Sequence, residues 1–249
     1  MKKADILSLL KAGAHFGHQT SRWHPKMKPF IFTERQGVHI IDLEKTIDQL
    51  EEVLAQVTKM AAEGKVILFA TTKPQAKDIV KAAAERCGMP YLIDRWLGGM
   101  LTNFPEMKKL IAKYNSLKEQ QATGELEKYT KKEQLDISKK LEKMDTYLSG
   151  LVSIQKMPDV IFTPSVQREK TAMLEANRMG VTVVGVCDTN ANPDRVDYVI
   201  AANDDAVRSI ELMVNLVADA IVEGKKELEK NKDISKKDMS AVPSKEQAA

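Results

Sequence analysis

Apolar positions along the chain alternate between short continuous runs and helical spacing. The predicted strands lie at residues 66–70, 91–93, 160–162, 181–186 and 197–200, and the run at 66–70 is apolar throughout, which is typical of a strand covered on both faces. Between them, apolar residues recur at steps of three and four, which predicts helices at residues 74–87 and 167–179. Strands that alternate with helices favour a parallel sheet with helices on both sides. The predicted fold class is therefore α/β, with a doubly wound and mainly parallel sheet.

Two further helices are predicted at the two ends of this core. Residues 29–43 predict two short strands around a turn at 35–37, after which Asp42 can cap a helix that ends near Gly64. Further along the chain, Asn203 can cap a last helix. The apolar face of that last helix is formed by Ile210, Met213, Val214, Val217 and Ile221.

Residues 105–150 differ from the rest of the chain. Charged side chains dominate there, with ten lysines and eight acids between residues 106 and 145, and the apolar spacing breaks near residues 122–124. This pattern predicts two helices that form an inserted antiparallel hairpin. Because an isolated helix pair buries little area, the hairpin is either a solvated insertion or an arm that rests on a partner. If that partner is another protein, the chain is an adaptor.

These patterns divide the chain into four parts. Residues 1–29 form an N-terminal basic, histidine-rich segment, residues 30–104 and 151–223 form the α/β domain, and residues 105–150 form the hairpin. Residues 224–249 contain few apolar side chains and many Lys, Glu and Ser. We expect a disordered tail there, because so polar a segment buries too little apolar surface to order itself.

The net charge is small but unevenly placed. The 249 residues carry 38 Lys and Arg against 35 Asp and Glu, a net charge of +3. Residues 1–35 hold seven cations and two acids, so the other 214 residues sum to −2. A balance near zero excludes a polycationic coat for nucleic acid, yet it suits a folded protein that binds RNA on one side.

The sequence carries no signal for export or membrane insertion. The first ten residues lack the apolar stretch and cleavage site of a leader peptide, and no segment approaches the ~20 apolar residues of a spanning helix. Two cysteines, Cys87 and Cys187, in a chain of this size favour a reducing compartment. We expect a cytoplasmic protein with no membrane partner.

The ends of the predicted strands lack a recognisable catalytic set. No glycine run follows the strand at 66–70, so residues 71–74 cannot wrap a pyrophosphate with backbone amides. Asp188, Asp204 and Asp205 lie at strand ends and could bind Mg²⁺, but no nucleophile–base pair accompanies them. We expect neither catalysis nor a cofactor. The alternative is a Mg-dependent small-molecule-binding or hydrolytic α/β enzyme.

Three histidines lie close together near the N-terminus. His15, His18 and His24 could supply nitrogen ligands, but a closed zinc site needs four ligands and neither cysteine is nearby in sequence. We therefore assign no metal and take exposure or contact with RNA as the default role, with zinc as the alternative.

Two irregular segments mix cations, planar rings and glycines. Residues 13–28 and residues 94–104 both combine side chains that pair with phosphates and side chains that stack on bases. The alternative for the rings is packing back onto the domain, which we expect at least of Phe16. The candidate RNA-binding residues are His18, Arg22, Trp23, His24, Lys26, Lys28, Arg95, Trp96, Asn103, Lys108 and Lys109.

These segments resemble those of a known family. Four motifs occur in order: a first stretch with Gly-Ala-His-Phe-Gly-His at 13–18 and Arg-Trp-His-Pro-Lys-Met at 22–27, then Arg-Trp-Leu-Gly-Gly-Met-Leu-Thr-Asn-Phe at 95–104, Asp-Thr-Asn at 188–190 and Asn-Asp-Asp at 203–205. From about residue 4 to residue 222, the chain resembles the bacterial type of the small-subunit ribosomal protein S-two (S2) family.

The resemblance implies a flavodoxin-like sheet with a projecting helical hairpin. It also implies a structural, non-catalytic role in translation, as a part of the ribosome that binds small-subunit ribosomal RNA near the junction of head and body. The further partners it implies are neighbouring small-subunit proteins, including the mRNA-recruiting protein S-one.

Overall fold

The central sheet of the protein is parallel and has five strands. The computed structural model describes residues 5–240, in which this sheet is joined by a three-stranded antiparallel sheet and seven α-helices. The strands are β1 Phe16–Gln19, β2 Ile31–Arg35, β3 Val38–Ile41, β4 Ile67–Ala70, β5 Tyr91–Leu92, β6 Val160–Thr163, β7 Thr182–Cys187 and β8 Tyr198–Ala201. The helices are α1 Ile6–Ala12, α2 Leu43–Ala62, α3 Lys77–Cys87, α4 Phe104–Ala122, α5 Lys131–Leu148, α6 Lys170–Met179 and α7 Val207–Ser240.

The strand order of the parallel sheet is β5-β4-β6-β7-β8. Counted from the first strand of this sheet, the order is 2-1-3-4-5, which is the flavodoxin-like arrangement. Phe69 on β4 pairs with Phe162 on β6, which in turn pairs with Val184 on β7. The sequence prediction of a doubly wound parallel sheet is therefore confirmed.

Side chains alternate across this sheet and build a separate hydrophobic core on each face. On β4, Ile67 and Phe69 belong to the core shared with α2, α3 and α7, whereas Leu68 and Ala70 belong to the core shared with α4, α5 and α6. This alternation follows from the two-residue period of a strand. We call the first layer, of α2, α3 and α7, the α7 face, and the second, of α6 and the hairpin helices α4 and α5, the α6 face.

Local capping chemistry fixes several helix and strand ends as the sequence predicts. The Asp42 carboxylate accepts a hydrogen bond from the Glu44 amide at the start of α2. Gln36 and Gly37 both have positive φ, 53° and 73°, in the tight turn between β2 and β3. Within the hairpin, Thr130 and Glu133 form a capping box at the start of α5. Helices α4 and α5 contact each other, and the Tyr114 hydroxyl on α4 donates to Asp145 near the end of α5, which confirms the inserted antiparallel hairpin.

The last helix departs from the sequence expectation. α7 continues to Ser240, so the disordered tail expected from Gly224 is wrong up to that residue, and residues 241–249 lie outside the described residues. Gly224 does not end the helix; it lies where α7 crosses α2, and a Cβ there would stand 2.2 Å from the Thr58 carbonyl oxygen. The glycine is therefore a packing residue, because only hydrogen allows so close a helix crossing.

The N-terminal segment is more regular than the sequence suggests. α1 is a two-turn helix capped by Asp5 and anchored by buried Leu9. β1 joins the edge of the antiparallel sheet, whose order is β1-β3-β2. Part of the segment expected to be an irregular loop is thus tied to the domain by backbone hydrogen bonds.

Over the described residues, none of the helices combines the length and the apolar content that crossing a lipid bilayer requires.

Candidate nucleic-acid interface

An ionic cluster lies at the carboxyl ends of the parallel strands. Lys73 follows β4, and its ammonium lies 2.9 Å from a carboxylate oxygen of Asp204 and 2.7 Å from one of Asp205, which both follow β8. Ser165, which follows β6, donates its hydroxyl to Asp204 at 2.6 Å. Burial and the nearby Asp188 carboxylate raise the pKa of Asp204, while the Lys73 ammonium opposes this rise. The Lys73 ammonium thus compensates part of the negative charge of this cluster.

His18 ties the N-terminal segment to this cluster. Its Nδ1 lies 3.1 Å from the Asp188 carboxylate and its Nε2 lies 3.3 Å from that of Asp205. The hydrogen bond to Asp188 raises the pKa of His18, although partial burial opposes the charged form. The backbone is fixed as well, since Gly17 lies so near Thr189 that a Cβ would stand 2.6 Å from its methyl group.

One group of side chains in the described residues could hold a metal ion. His18, Asp188 and Asp204 offer ligand atoms within 4.8 Å of one another, a nitrogen–oxygen set that suits a divalent cation. The set differs from the alternative based on three histidines, because neither His15 nor His24 belongs to it. His24 instead accepts a hydrogen bond from the Lys26 amide.

The first predicted segment presents an exposed basic surface. Arg22 and Lys28 are exposed, and Trp23 is exposed over 37% of its surface while its ring lies beside His39. Lys26 is exposed too, but its ammonium forms an ion pair with Asp194. The interpretation of these residues as surface groups able to reach RNA therefore fits their positions, with Lys26 partly neutralised.

Phe16 contradicts the sequence expectation. We expect from sequence that its ring packs back onto the domain, but 50% of Phe16 is exposed. Ala14, two residues earlier, is fully buried in the core. On β1, the side chain of Phe16 therefore remains available to a partner.

The second predicted segment divides into exposed and buried residues. Arg95, Asn103, Lys108 and Lys109 are exposed, and Lys109 pairs with a neighbouring glutamate one turn away. Trp96 is only 8% exposed and packs in the core of the α6 face. In this structure the ring of Trp96 is therefore occupied in the interior, and its contact with RNA stays a prediction.

Glu175 on α6 holds the second segment in place, and sequence reasoning misses it. Its carboxylate accepts hydrogen bonds from the Trp96 indole at 3.0 Å, from the Gly99 and Leu101 amides at 2.9 and 3.0 Å, and from the amide and hydroxyl of Thr102. Burial opposes ionisation of Glu175, but these five hydrogen bonds outweigh it and lower the pKa of the carboxyl. The only sequence signal is an acid among the apolar positions of a helix.

Two comparisons with known proteins agree with this structure. Residues 9–224 match the family model described as ribosomal protein S2. The chain is also 48% identical, over 225 residues, to the small ribosomal subunit protein uS2 of Coprothermobacter proteolyticus, in an alignment that covers 90% of this chain and 84% of that protein. The matched range includes both basic segments, the sheet and the hairpin. This family is structural rather than enzymatic, which removes the alternative of a Mg-dependent enzyme. The chain belongs to the ribosomal protein S2 family.

Proposed function

We propose that the protein binds small-subunit ribosomal RNA through the exposed cations of residues 22–28 and 95–109. The observation that carries this proposal is the set of unpaired charges on these two segments. Arg22, Lys28 and Arg95 are exposed and form no ion pair within residues 5–240. Cations without an internal partner are available to phosphates, and phosphate contacts supply much of the affinity for nucleic acid.

The polar and aromatic groups between these cations support the same function. Trp23 offers part of its indole for stacking, and the amide of exposed Asn103 can contact sugars or base edges. We place the contact near the junction of the head and body of the subunit, which follows from the family resemblance.

The proposal includes docking of neighbouring ribosomal proteins, with protein S-one among them. Exposed apolar side chains at the N-terminal edge of the molecule support it: Leu7 and Leu10 on α1, and Phe16 on β1. Leu7 and Leu10 are three residues apart on α1 and so share one face of that helix, and exposed apolar surface can mark a protein-binding site. The lysine-rich hairpin offers a second, charged surface of the same molecule.

Binding to small subunits that lack this protein tests the RNA contact. The triple variant Arg22→Ala, Lys28→Ala and Arg95→Ala removes three unpaired cations, so we expect its slope of log affinity against log salt to be about three units shallower. A matched control removes three exposed cations from the α7 face, Lys59→Ala, Lys226→Ala and Lys230→Ala. A triple variant with the wild-type slope would contradict the proposal.

A further inference from the structure

Helix α6 lies between the two basic segments. It contacts the turn that packs against the first segment and the backbone of the second segment itself. On one side, Asn177 donates to the Arg195 carbonyl oxygen at 3.2 Å, and the turn Pro193–Arg195 packs against the segment Pro25–Phe30, with Asp194 paired to Lys26. On the other side, the Glu175 carboxylate accepts hydrogen bonds from the backbone amides of Gly99, Leu101 and Thr102. The exposed side of α6 therefore continues the surface from one segment to the other.

The exposed side of α6 carries cations and no acid. Lys170, Leu174 and Arg178 are spaced four residues apart, so they share one stripe of the helix, and all three are exposed. The two glutamates nearby point inward: Glu169 is 3% exposed and accepts the amide and hydroxyl of Thr72, and Glu175 is 9% exposed. The sequence of residues 168–178 is nearly neutral, but in the folded protein its acids are buried and its cations are exposed.

The cations of this stripe are unpaired in the part of the chain that the structure describes. Neither Lys170 nor Arg178 forms an ion pair, and the same holds for exposed Arg168 and Arg195 at the two ends of the stripe. The opposite side of the molecule differs, since exposed positions of α2 include Asp48, Glu51 and Glu52. The exposed cations of α6 therefore lack the exposed acids that accompany the cations of α2.

We propose that the exposed side of α6 is a third RNA-binding element, which joins the two segments into one continuous surface for the RNA backbone. This inference rests on the proposed function of those segments. Lys170 and Arg178 lie about 12 Å apart along the helix axis and carry long, mobile charged groups without an aromatic ring between them. Such groups bind phosphates and set the orientation of the protein without reading bases.

Salt-dependent binding of wild-type and variant protein tests this inference. In the double variant Lys170→Ala and Arg178→Ala, alanine keeps the helix because both positions are exposed and alanine has the highest helix propensity. We expect the slope of log affinity against log salt, measured on protein-free small-subunit ribosomal RNA, to become about two units shallower. The control Lys59→Ala and Lys226→Ala, on the α7 face, keeps the wild-type slope, and circular dichroism verifies that both variants are folded.

The outcomes separate this inference from the function on which it rests. A wild-type slope for the α6 variant, together with a reduced slope for Arg22→Ala and Lys28→Ala, would overturn the inference and leave the proposed function standing. Wild-type slopes for both variants would overturn the proposed function as well. Normal binding of the α6 variant to bare RNA, with a defect only on subunits that carry the neighbouring proteins, would identify a protein-docking surface and overturn the RNA assignment.

Discussion

At the residue scale, the buried carboxylate of Glu175 determines whether the second basic segment keeps its shape. Five donors converge on its two oxygens, and none of them is a cation. In Glu175→Gln, the side-chain NH2 group replaces one carboxylate oxygen, so the donors that bonded to that oxygen lose their acceptor. We expect unfolding by urea to show a loss of about 3 kcal/mol at pH 7, because buried donors are left unsatisfied. Glu52→Gln, at an exposed position of α2, should stay within about 0.5 kcal/mol of wild type.

The same carboxylate gives the stability a defined pH dependence. The folded-state pKa of Glu175 is lowered, since the donated hydrogen bonds outweigh the burial that opposes them. Its contribution is therefore complete above the unfolded-state pKa of about 4.3 and is lost as the pH falls through the folded-state value. The difference in unfolding free energy between wild type and Glu175→Gln should shrink as the pH is lowered from 6 to 3. A difference that grows on acidification would contradict this.

The pKa values of two histidines near each other in sequence should be shifted in opposite directions. The hydrogen bond to Asp188 raises the pKa of His18 above 6.5, whereas burial lowers the pKa of His15 below it. NMR titration of the imidazole signals, with a chelator present, should show this order. In Asp205→Asn, which removes the exposed carboxylate near Nε2, the pKa of His18 should fall. A His18 that titrates below His15 would show that the ionic cluster is arranged differently.

Sequence predicts the exposure of charged side chains more reliably than the exposure of aromatic rings. Arg22, Lys28 and Arg95 are exposed as predicted because long cations are costly to bury without a partner. Trp96 and Phe16 exchange their expected places: the tryptophan is buried and the phenylalanine exposed. An aromatic ring suits the core and a binding surface equally well. Tertiary contacts, such as the one from Glu175, decide between the two.

At the element scale, the close crossing of α2 and α7 should depend on Gly224. A methyl group at this position would lie 2.2 Å from the Thr58 carbonyl oxygen and 2.7 Å from the Ala61 Cβ. We expect Gly224→Ala to lower the unfolding free energy by about 2 kcal/mol through overpacking, although alanine is favoured by about 1 kcal/mol inside a helix. Denaturant unfolding measures the change.

The control for this crossing is Gly98→Ala, where an added Cβ meets no atom within 4 Å. Its stability should stay close to that of the wild type. If Gly224→Ala is as stable as wild type or more stable, helix propensity dominates and the crossing tolerates a wider separation than the structure shows.

Elements of the core are predicted well from sequence because their periodicity is strong. The apolar runs at β4, β6 and β7 mark strands buried on both faces, and the break near residues 122–124 marks the hairpin turn. Prediction fails where composition resembles that of a loop or a tail. α1 is too short to show a clear helical period. The sequence after Gly224 is polar, yet it continues α7, which packs against α2 at Gly224.

At the scale of the whole molecule, the sheet separates two faces of different charge character. The α6 face carries residues 22–28, residues 95–109 and the unpaired cations of α6, while α2 on the α7 face exposes many acids. A net charge of only +3 is compatible with this division. Membership of the ribosomal protein S2 family confirms the prediction of a non-enzymatic ribosomal component, located on small ribosomal subunits in the cytoplasm.

Directed cleavage of ribosomal RNA tests most directly whether the α6 face contacts RNA. Because Cys87 and Cys187 are both buried, a single cysteine introduced at an exposed site can carry an iron chelate that generates hydroxyl radicals. From Thr171→Cys on α6, we predict strong cleavage of small-subunit RNA in assembled subunits. From Ala55→Cys, exposed on α2, we predict weak or absent cleavage. Strong cleavage from α2 with none from α6 would contradict the account.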